Sequence, residues 1–265
     1  MNSLPKGDLD ANHYKNHSQL QYSLAKSPLE NYNFIGNESV LDVGCGDGKI
    51  TAEIASKALK VIGIDKSFAM IDLARKTFNT KAFPNLSFEV IDATQLPFAS
   101  AFNLVTSFSC IHWIKVQKAA LQAIYKVLKP GGIALIITFP RCPTFWDPID
   151  KVVYRAKWIN YFQNDLHPYS FYDAKGYGRL LSDLNFEIVK IETTPCIAKF
   201  LGKKGFEDYV KGWLPYLAVL PVDLHEEFLD EIGTASLDYA PMKEDGYVHH
   251  PYDKIFLHLK KSLET

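Results

Sequence analysis

Apolar positions along this chain fall into short runs that switch between the periods of strands and helices. After a polar opening, residues 17–33 carry Leu20, Leu24 and Leu29 partly in register for an amphipathic helix. From Ser39 onward, apolar runs predict strands over 39–43, 60–64, 86–91, 102–108 and 132–138. The fifth is nearly all apolar, as a strand covered on both faces is. Helices are predicted over 49–58, 67–77 and 116–128, with Ser67 as an N-cap. Lys129-Pro130-Gly131-Gly132 reads as a proline–glycine helix terminator. Beyond residue 138 the regularity loosens. Phe139, Phe145, Trp146, Tyr154, Trp158, Tyr161 and Phe162 crowd among prolines. A helix then fits 173–184, a strand 186–193, and the alternation from Tyr252 to Leu259 a last strand.

Strand and helix patterns taken in turn predict an α/β fold with a doubly wound, parallel, Rossmann-like sheet. At 265 residues the chain is long enough for one full core with insertions. We expect one domain over 1–265. Residues 1–33 form a helical segment over the site, 34–138 the ligand-binding core, and 139–172 and 203–246 aromatic-rich caps over the carboxyl ends of the strands. The cap aromatics either wall an apolar pocket or form the caps' own core.

Charge narrows the partners. Lysines and arginines (29) nearly balance aspartates and glutamates (30), and the nearest thing to a basic run is the pair Lys203-Lys204, so no nucleic-acid partner is indicated. No apolar window reaches a membrane-spanning length and the opening residues lack an apolar leader core, so we expect a cytoplasmic protein with no membrane span. The four cysteines are scattered, which suits a reducing compartment and predicts neither a disulfide framework nor a metal site. His249-His250 lacks a third ligand at convincing spacing. The sequence carries no signal for oligomeric state.

The densest chemical signal is Val40-Leu41-Asp42-Val43-Gly44-Cys45-Gly46-Asp47-Gly48. A buried strand ends in a glycine turn, and the glycines remove side chains where backbone turns and a ligand comes close. Val61-Ile62-Gly63-Ile64 then ends in Asp65, about 20 residues on, where a nucleotide-binding βαβ unit places the acid for the ribose hydroxyls. Asp65 also suits the start of the following helix, and the two roles are compatible. A dinucleotide motif wants its third glycine where Lys49 stands, which disfavours a dehydrogenase. Asp42 lies two positions before the first glycine, unwelcoming to a pyrophosphate and welcoming to a cationic amino-acid tail.

This loop resembles motif I of the class I S-adenosylmethionine-dependent methyltransferases. The resemblance covers 14–138 well and 139–265 in outline, and implies a seven-stranded sheet, mostly parallel with an antiparallel last strand. It implies S-adenosyl-L-methionine as cofactor, with Asp42, Gly44 and Gly46 around the amino-acid end and Asp65 on the ribose, Lys66 beside it. Met70, in Asp-Lys-Ser-Phe-Ala-Met, packs on adenine by resemblance or simply belongs to the core. Asp92 and Ala93 match the acid and the following N–H that take the adenine edge, and backbone near Phe108 lines the methionine end. Phe102-Asn103 departs from the family's usual Phe-Asp, which bears on fold support rather than on the cofactor.

Ile111-His112-Trp113 is similar to the branch containing trans-aconitate and juvenile hormone acid methyltransferases. The spacing of Tyr14 and Gln21 matches the hormone enzymes, and by resemblance Gln21 and Trp113 donate hydrogen bonds to a substrate carboxylate. That implies a small carboxylic acid of apolar character as acceptor, methylated by in-line displacement. If the acceptor is instead a hydroxyl, amine or carbon, His112 is the candidate base; otherwise it packs beneath the pocket. A reading of another class is a non-catalytic, cofactor-sensing or protein-binding member of the fold.

Overall fold

The computed structural model describes residues 11, 13, 19–162 and 169–263. Tyr14 and the first residues of the 17–33 helix lie outside them. The chain divides into two compact units, one of residues 19–140, 169–194 and 254–265, the other of 1–18, 141–168 and 195–253.

The first unit is built on a seven-stranded sheet. Its strands are β1 (Ser39–Val43), β2 (Lys60–Asp65), β3 (Leu86–Val90), β4 (Phe102–Phe108), β5 (Leu128–Thr138), β6 (Phe186–Leu201) and β7 (Tyr247–Lys261), in the order β3-β2-β1-β4-β5-β7-β6. The first five pair in parallel, and β7 runs antiparallel to β5. Helices α1 (Gln19–Glu30), α2 (Lys49–Ala55), α3 (Phe68–Thr77), α4 (Gln117–Val127) and α6 (Ala174–Ser182) flank it, with α5 (Pro143–Val153) lying between the last two in sequence.

Alternation along each strand feeds two cores, since successive side chains point to opposite faces. Leu41, Val43, Ile62, Ile64, Val105 and Ile136 pack with Leu121 and Ile124 of α4 and Tyr177 of α6. Val40, Val61, Leu104, Leu135 and Ile137 pack on the other face with Leu24 and Leu29 of α1 and Ile54 of α2. Each such fully buried side chain contributes roughly 1.5–3 kcal/mol. Asn103, where the family has an acid, accepts from the Ser39 N–H at 3.0 Å and from Lys129 Nζ at 3.1 Å, pinning the start of β1 to β4.

Three expectations need correction. Lys129-Pro130-Gly131-Gly132 is not a turn between helix and strand. The helix ends at Val127, and Phe102 pairs with Leu128 while Leu104 pairs with Ile133, so these residues bulge out within β5. Gly131 supplies the left-handed backbone this bulge requires, at φ 75°. β6 continues to Leu201 rather than ending near 193, and β7 begins at Tyr247 rather than at 252. Pro195 is tolerated because β6 is the edge strand, and Pro251 because the β5–β7 ladder ends at the pair Thr138–Ile255.

The second unit contains α5, α7 (Gly202–Lys211) and α8 (His225–Ser236). Here the crowded aromatics form a core. Trp158 is fully buried against Phe228, and its indole N–H donates to Glu231 at 2.9 Å. Gly233 of α8 leaves room for the Glu207 side chain, which occupies the space a β-carbon would need. His250 is fully buried, stacked on Phe206 with centroids 4.3 Å apart, and its Nδ1–H donates to the Thr144 carbonyl at 3.1 Å. Among the described residues no helix is long and apolar enough to cross a membrane.

Burial pushes His250 down to about 4 from the ordinary 6.5. The unfolded chain therefore takes up this proton first. The stability owed to the neutral ring is complete above pH 6.5 and is lost as pH falls toward 4, amounting to roughly 3 kcal/mol. His112, lowered further, adds in the same direction, whereas Asp42, raised to about 6, opposes it. We therefore expect His250→Phe to lose less thermal stability than the parent between pH 7.5 and 4.5. Equal losses in parallel melts would refute the assignment.

Candidate active site

The strand order changes direction between β1 and β4, and ligands of open α/β sheets bind at the carboxyl ends beside such a switch point. Four segments lie there: the loops after β1, β2, β3 and β4, the second leading straight into α3.

After β1 the chain turns through Gly44, Gly46 and Gly48, at φ 75°, 53° and 81°. The Gly44 and Cys45 N–H groups both donate to the Ile64 carbonyl, at 2.8 and 2.9 Å. Cys110, just beyond β4, covers Gly44 so closely that an added β-carbon would fall inside its Sγ and Cβ. Gly48 packs on Phe88 and Ala74, so its bareness serves packing rather than ligand approach.

Asp65 ties this loop to the next. Its Oδ2 accepts from the Gly46 N–H at 3.1 Å and its Oδ1 from the Ser67 N–H at 2.9 Å. Ser67 caps α3 as its sequence position predicts, its Oγ accepting from the Met70 N–H at 3.1 Å. Lys66 is exposed between them, and Met70 is buried on the inner face of α3.

Asp42 is buried beneath the loop, with Oδ2 accepting from Thr51 at 2.6 Å and Oδ1 from Thr106 at 2.7 Å. Burial raises it to about 6, and the two hydroxyls hold it below where burial alone would put it. A cation above the loop would favour its charged form. Nothing in the sequence singles out Thr51 or Thr106, because their meeting at Asp42 depends on strand pairing and on the placement of α2.

After β3, Asp92 is exposed, and its Oδ1 accepts from the N–H and the hydroxyl of Thr94, each at 2.7 Å. Hydrogen bonds from the Thr94 backbone and side chain lower its pKa below the ordinary carboxylate value, so it is ionised. Ala93 beside it is half-buried. Phe108 closes β4 with its ring in the core.

Beyond β4 lie features the sequence does not announce. Ser109 holds a left-handed backbone at φ 60°, unusual for a residue with a β-carbon, and its N–H donates to Ile137 at 2.9 Å. Its Oγ is enclosed and has no partner among the described residues. A left-handed backbone and an orphaned hydroxyl at a strand end are the kind of outlier that clusters at functional sites.

Ile111–Trp113 form a single 3-10 turn. The His112 ring is buried between the edge of Phe139, 5.2 Å between centroids, and the face of Phe171, 6.2 Å and 17° from parallel. Burial alone lowers His112 to about 3, so the ring is neutral throughout the physiological range. A network fixes the segment carrying Phe171. The Ser170 N–H donates to the His112 carbonyl at 3.0 Å, Gln117 Nε2 donates to the Ser170 carbonyl at 2.6 Å, and Tyr177 donates to Gln117 Oε1 at 2.7 Å. Trp113 is half-buried, its ring 5.0 Å from His112 and 6.2 Å from Tyr169. Gln21 is half-buried on the first turn of α1. The structure thus gathers Asp42, Gly44, Gly46, Asp65, Asp92, Phe108, His112 and Trp113 at one end of one sheet.

The orphaned Ser109 hydroxyl, the bare loop and the acids at the ends of successive strands fit a nucleoside carrying a charged amino-acid end. Comparison with known proteins agrees. The sequence profile of a methyltransferase domain matches residues 40–132. Juvenile hormone acid O-methyltransferase of Drosophila melanogaster is 28% identical over 246 residues, covering 86% of this chain and 82% of that one. Malonyl-[acyl-carrier protein] O-methyltransferase of Enterobacter lignolyticus is 28% identical over 156 residues, 57% of this chain and 60% of its own. Phosphoethanolamine N-methyltransferase 2 of Haemonchus contortus, solved with S-adenosyl-L-methionine, superposes with a TM-score of 0.62 at 18% identity, over 95% of this chain and 56% of that one, a likeness of fold.

Proposed function

Since the chain is a class I S-adenosylmethionine-dependent methyltransferase, we propose that it O-methylates a small-molecule carboxylic acid of apolar character in the cytoplasm. The observation that carries this reading is His112. Enclosed between Phe139 and Phe171, with burial holding it far below its ordinary value, the ring is a poor proton acceptor at neutral pH, the part a hydroxyl acceptor would ask of it. A carboxylate is already a nucleophile and needs no base. The likeness to an acid O-methyltransferase over most of both chains supports the same acceptor class.

When bound, S-adenosylmethionine supplies a methyl group on a positively charged sulfur that leaves with the bonding pair. Asp65 would hold the ribose hydroxyls with Lys66 alongside, Asp92 and the Ala93 N–H would hold the adenine edge, and Met70 would back the base. The bare loop at Gly44 and Gly46 admits the amino-acid end, with Asp42 as the anionic pole beneath and backbone at Phe108 beside it. Gln21 and Trp113 orient the acceptor carboxylate through neutral N–H donors, strong enough to position an oxygen without quenching it. Positioning of this kind is worth up to about 7–11 kcal/mol of the barrier.

The test is a radiolabelled methyl-transfer screen over fatty, terpenoid and tricarboxylic acids beside matched alcohols and amines. Esters should form; labelling of alcohols or amines alone would overturn the reading. Gln21→Ala should lower kcat/KM on the best acid roughly 10- to 100-fold while leaving the affinity for S-adenosylhomocysteine unchanged.

A further inference from the structure

The two ring nitrogens of His112 have different surroundings. Nδ1 is enclosed and meets no hydrogen-bond partner among the described residues, whereas Nε2 is not both enclosed and unpartnered. The ring is clamped by Phe139 and Phe171, and its main chain is tied to Ser170. An enclosed N–H without an acceptor is rarer and costlier than an enclosed lone pair. The proton of the neutral ring therefore belongs on Nε2.

We infer that His112 is a hydrogen-bond donor, its Nε2–H holding the acceptor carboxylate together with the Trp113 indole N–H. This rests on the carboxylic-acid reading above and gives His112 the role opposite to that of a base. Neighbouring residues on one 3-10 turn, with ring centroids 5.0 Å apart, would then present two neutral donors. Neither donor carries charge, so the attacking oxygen keeps its nucleophilicity.

Two measurements test it. Nitrogen-15 shifts of the histidine rings, recorded on the full chain loaded with S-adenosylhomocysteine and assigned by difference from His112→Gln, report which nitrogen bears the proton. The Nε2–H form is expected at pH 7.5, and the Nδ1–H form would overturn the proposal. The second measurement compares substitutions, with the panel acid turned over fastest as probe. Glutamine places its amide N–H near Nε2 and asparagine near Nδ1. His112→Gln should keep kcat/KM within a few-fold, whereas His112→Asn and His112→Phe should lose roughly 10- to 100-fold, the worth of one hydrogen bond to a charged group. S-adenosylhomocysteine affinity should be unchanged in all three. Equal losses in the glutamine and asparagine variants would refute the donor role. If the screen yields no ester, the acceptor reading fails and the carboxylate role with it, while the tautomer is still decided by the spectra.

Discussion

Gly44→Ala is expected to abolish S-adenosylhomocysteine binding and to lower the melting temperature by about 5–15 °C, the equivalent of roughly 2–5 kcal/mol. Two costs add. The new methyl would overlap Cys110 Sγ and Cβ, and the residue must keep a left-handed backbone at φ 75°. Neither the loop nor Cys110 has room to yield, because the Gly44 N–H is bonded to Ile64 and the chain after Cys110 enters the His112 turn. The double variant Gly44→Ala with Cys110→Gly removes the overlap and leaves the backbone cost. It should regain part of the lost stability, read by melting, and little of the binding, read by calorimetry. A single variant that binds like the parent would dismiss Gly44 as a point of close approach.

Asp65→Ala should weaken S-adenosylhomocysteine by about 100-fold or more, since two hydrogen bonds to a vicinal diol vanish together. It should also cost a few kcal/mol of stability before any ligand is added, because the Gly46 and Ser67 N–H groups both lose their acceptor. Asp65→Asn separates the parts. It keeps one acceptor and turns an amide N–H toward the other backbone N–H, so the loop is strained although the side chain is nearly the same size. Calorimetry on both variants beside NAD as a control ligand is decisive: unchanged affinity in Asp65→Ala would remove this residue from the site.

How much of this was legible beforehand depends on how local the cause is. The glycine turn, the acid ending β2 and the Ser67 cap are set by neighbours a few positions away, and the sequence displays them. Asp42 shows the limit: its acid is legible, whereas its partners Thr51 and Thr106 come from a helix and another strand. Ser109 reads as an ordinary strand-end serine, and its left-handed backbone is imposed by β5 and the packing around Cys110. Proline misled at Pro130, read as a helix terminator although it lies within β5. Its missing N–H matters only where a neighbouring strand needs it, and neighbours are not visible in one sequence. His112 was legible as chemistry and ambiguous in role, because two roles that share a residue differ only in what encloses each nitrogen.

The strand order also governs how the protein comes off the ribosome. Strands β3, β2, β1, β4 and β5 are all synthesised by Thr138 and can pair with one another at once. β6 is made next, yet it has no place beside β5, because β7 lies between them. For the whole interval in which residues 202–246 are translated, the nascent β6, with Ile188, Val189 and Ile197 exposed even in the finished fold, waits for a neighbour that does not yet exist. Such non-local pairing is slow and open to aggregation. Lys190, Glu192 and Lys199 along the waiting segment are the kind of charged gatekeepers that keep it soluble until β7 arrives.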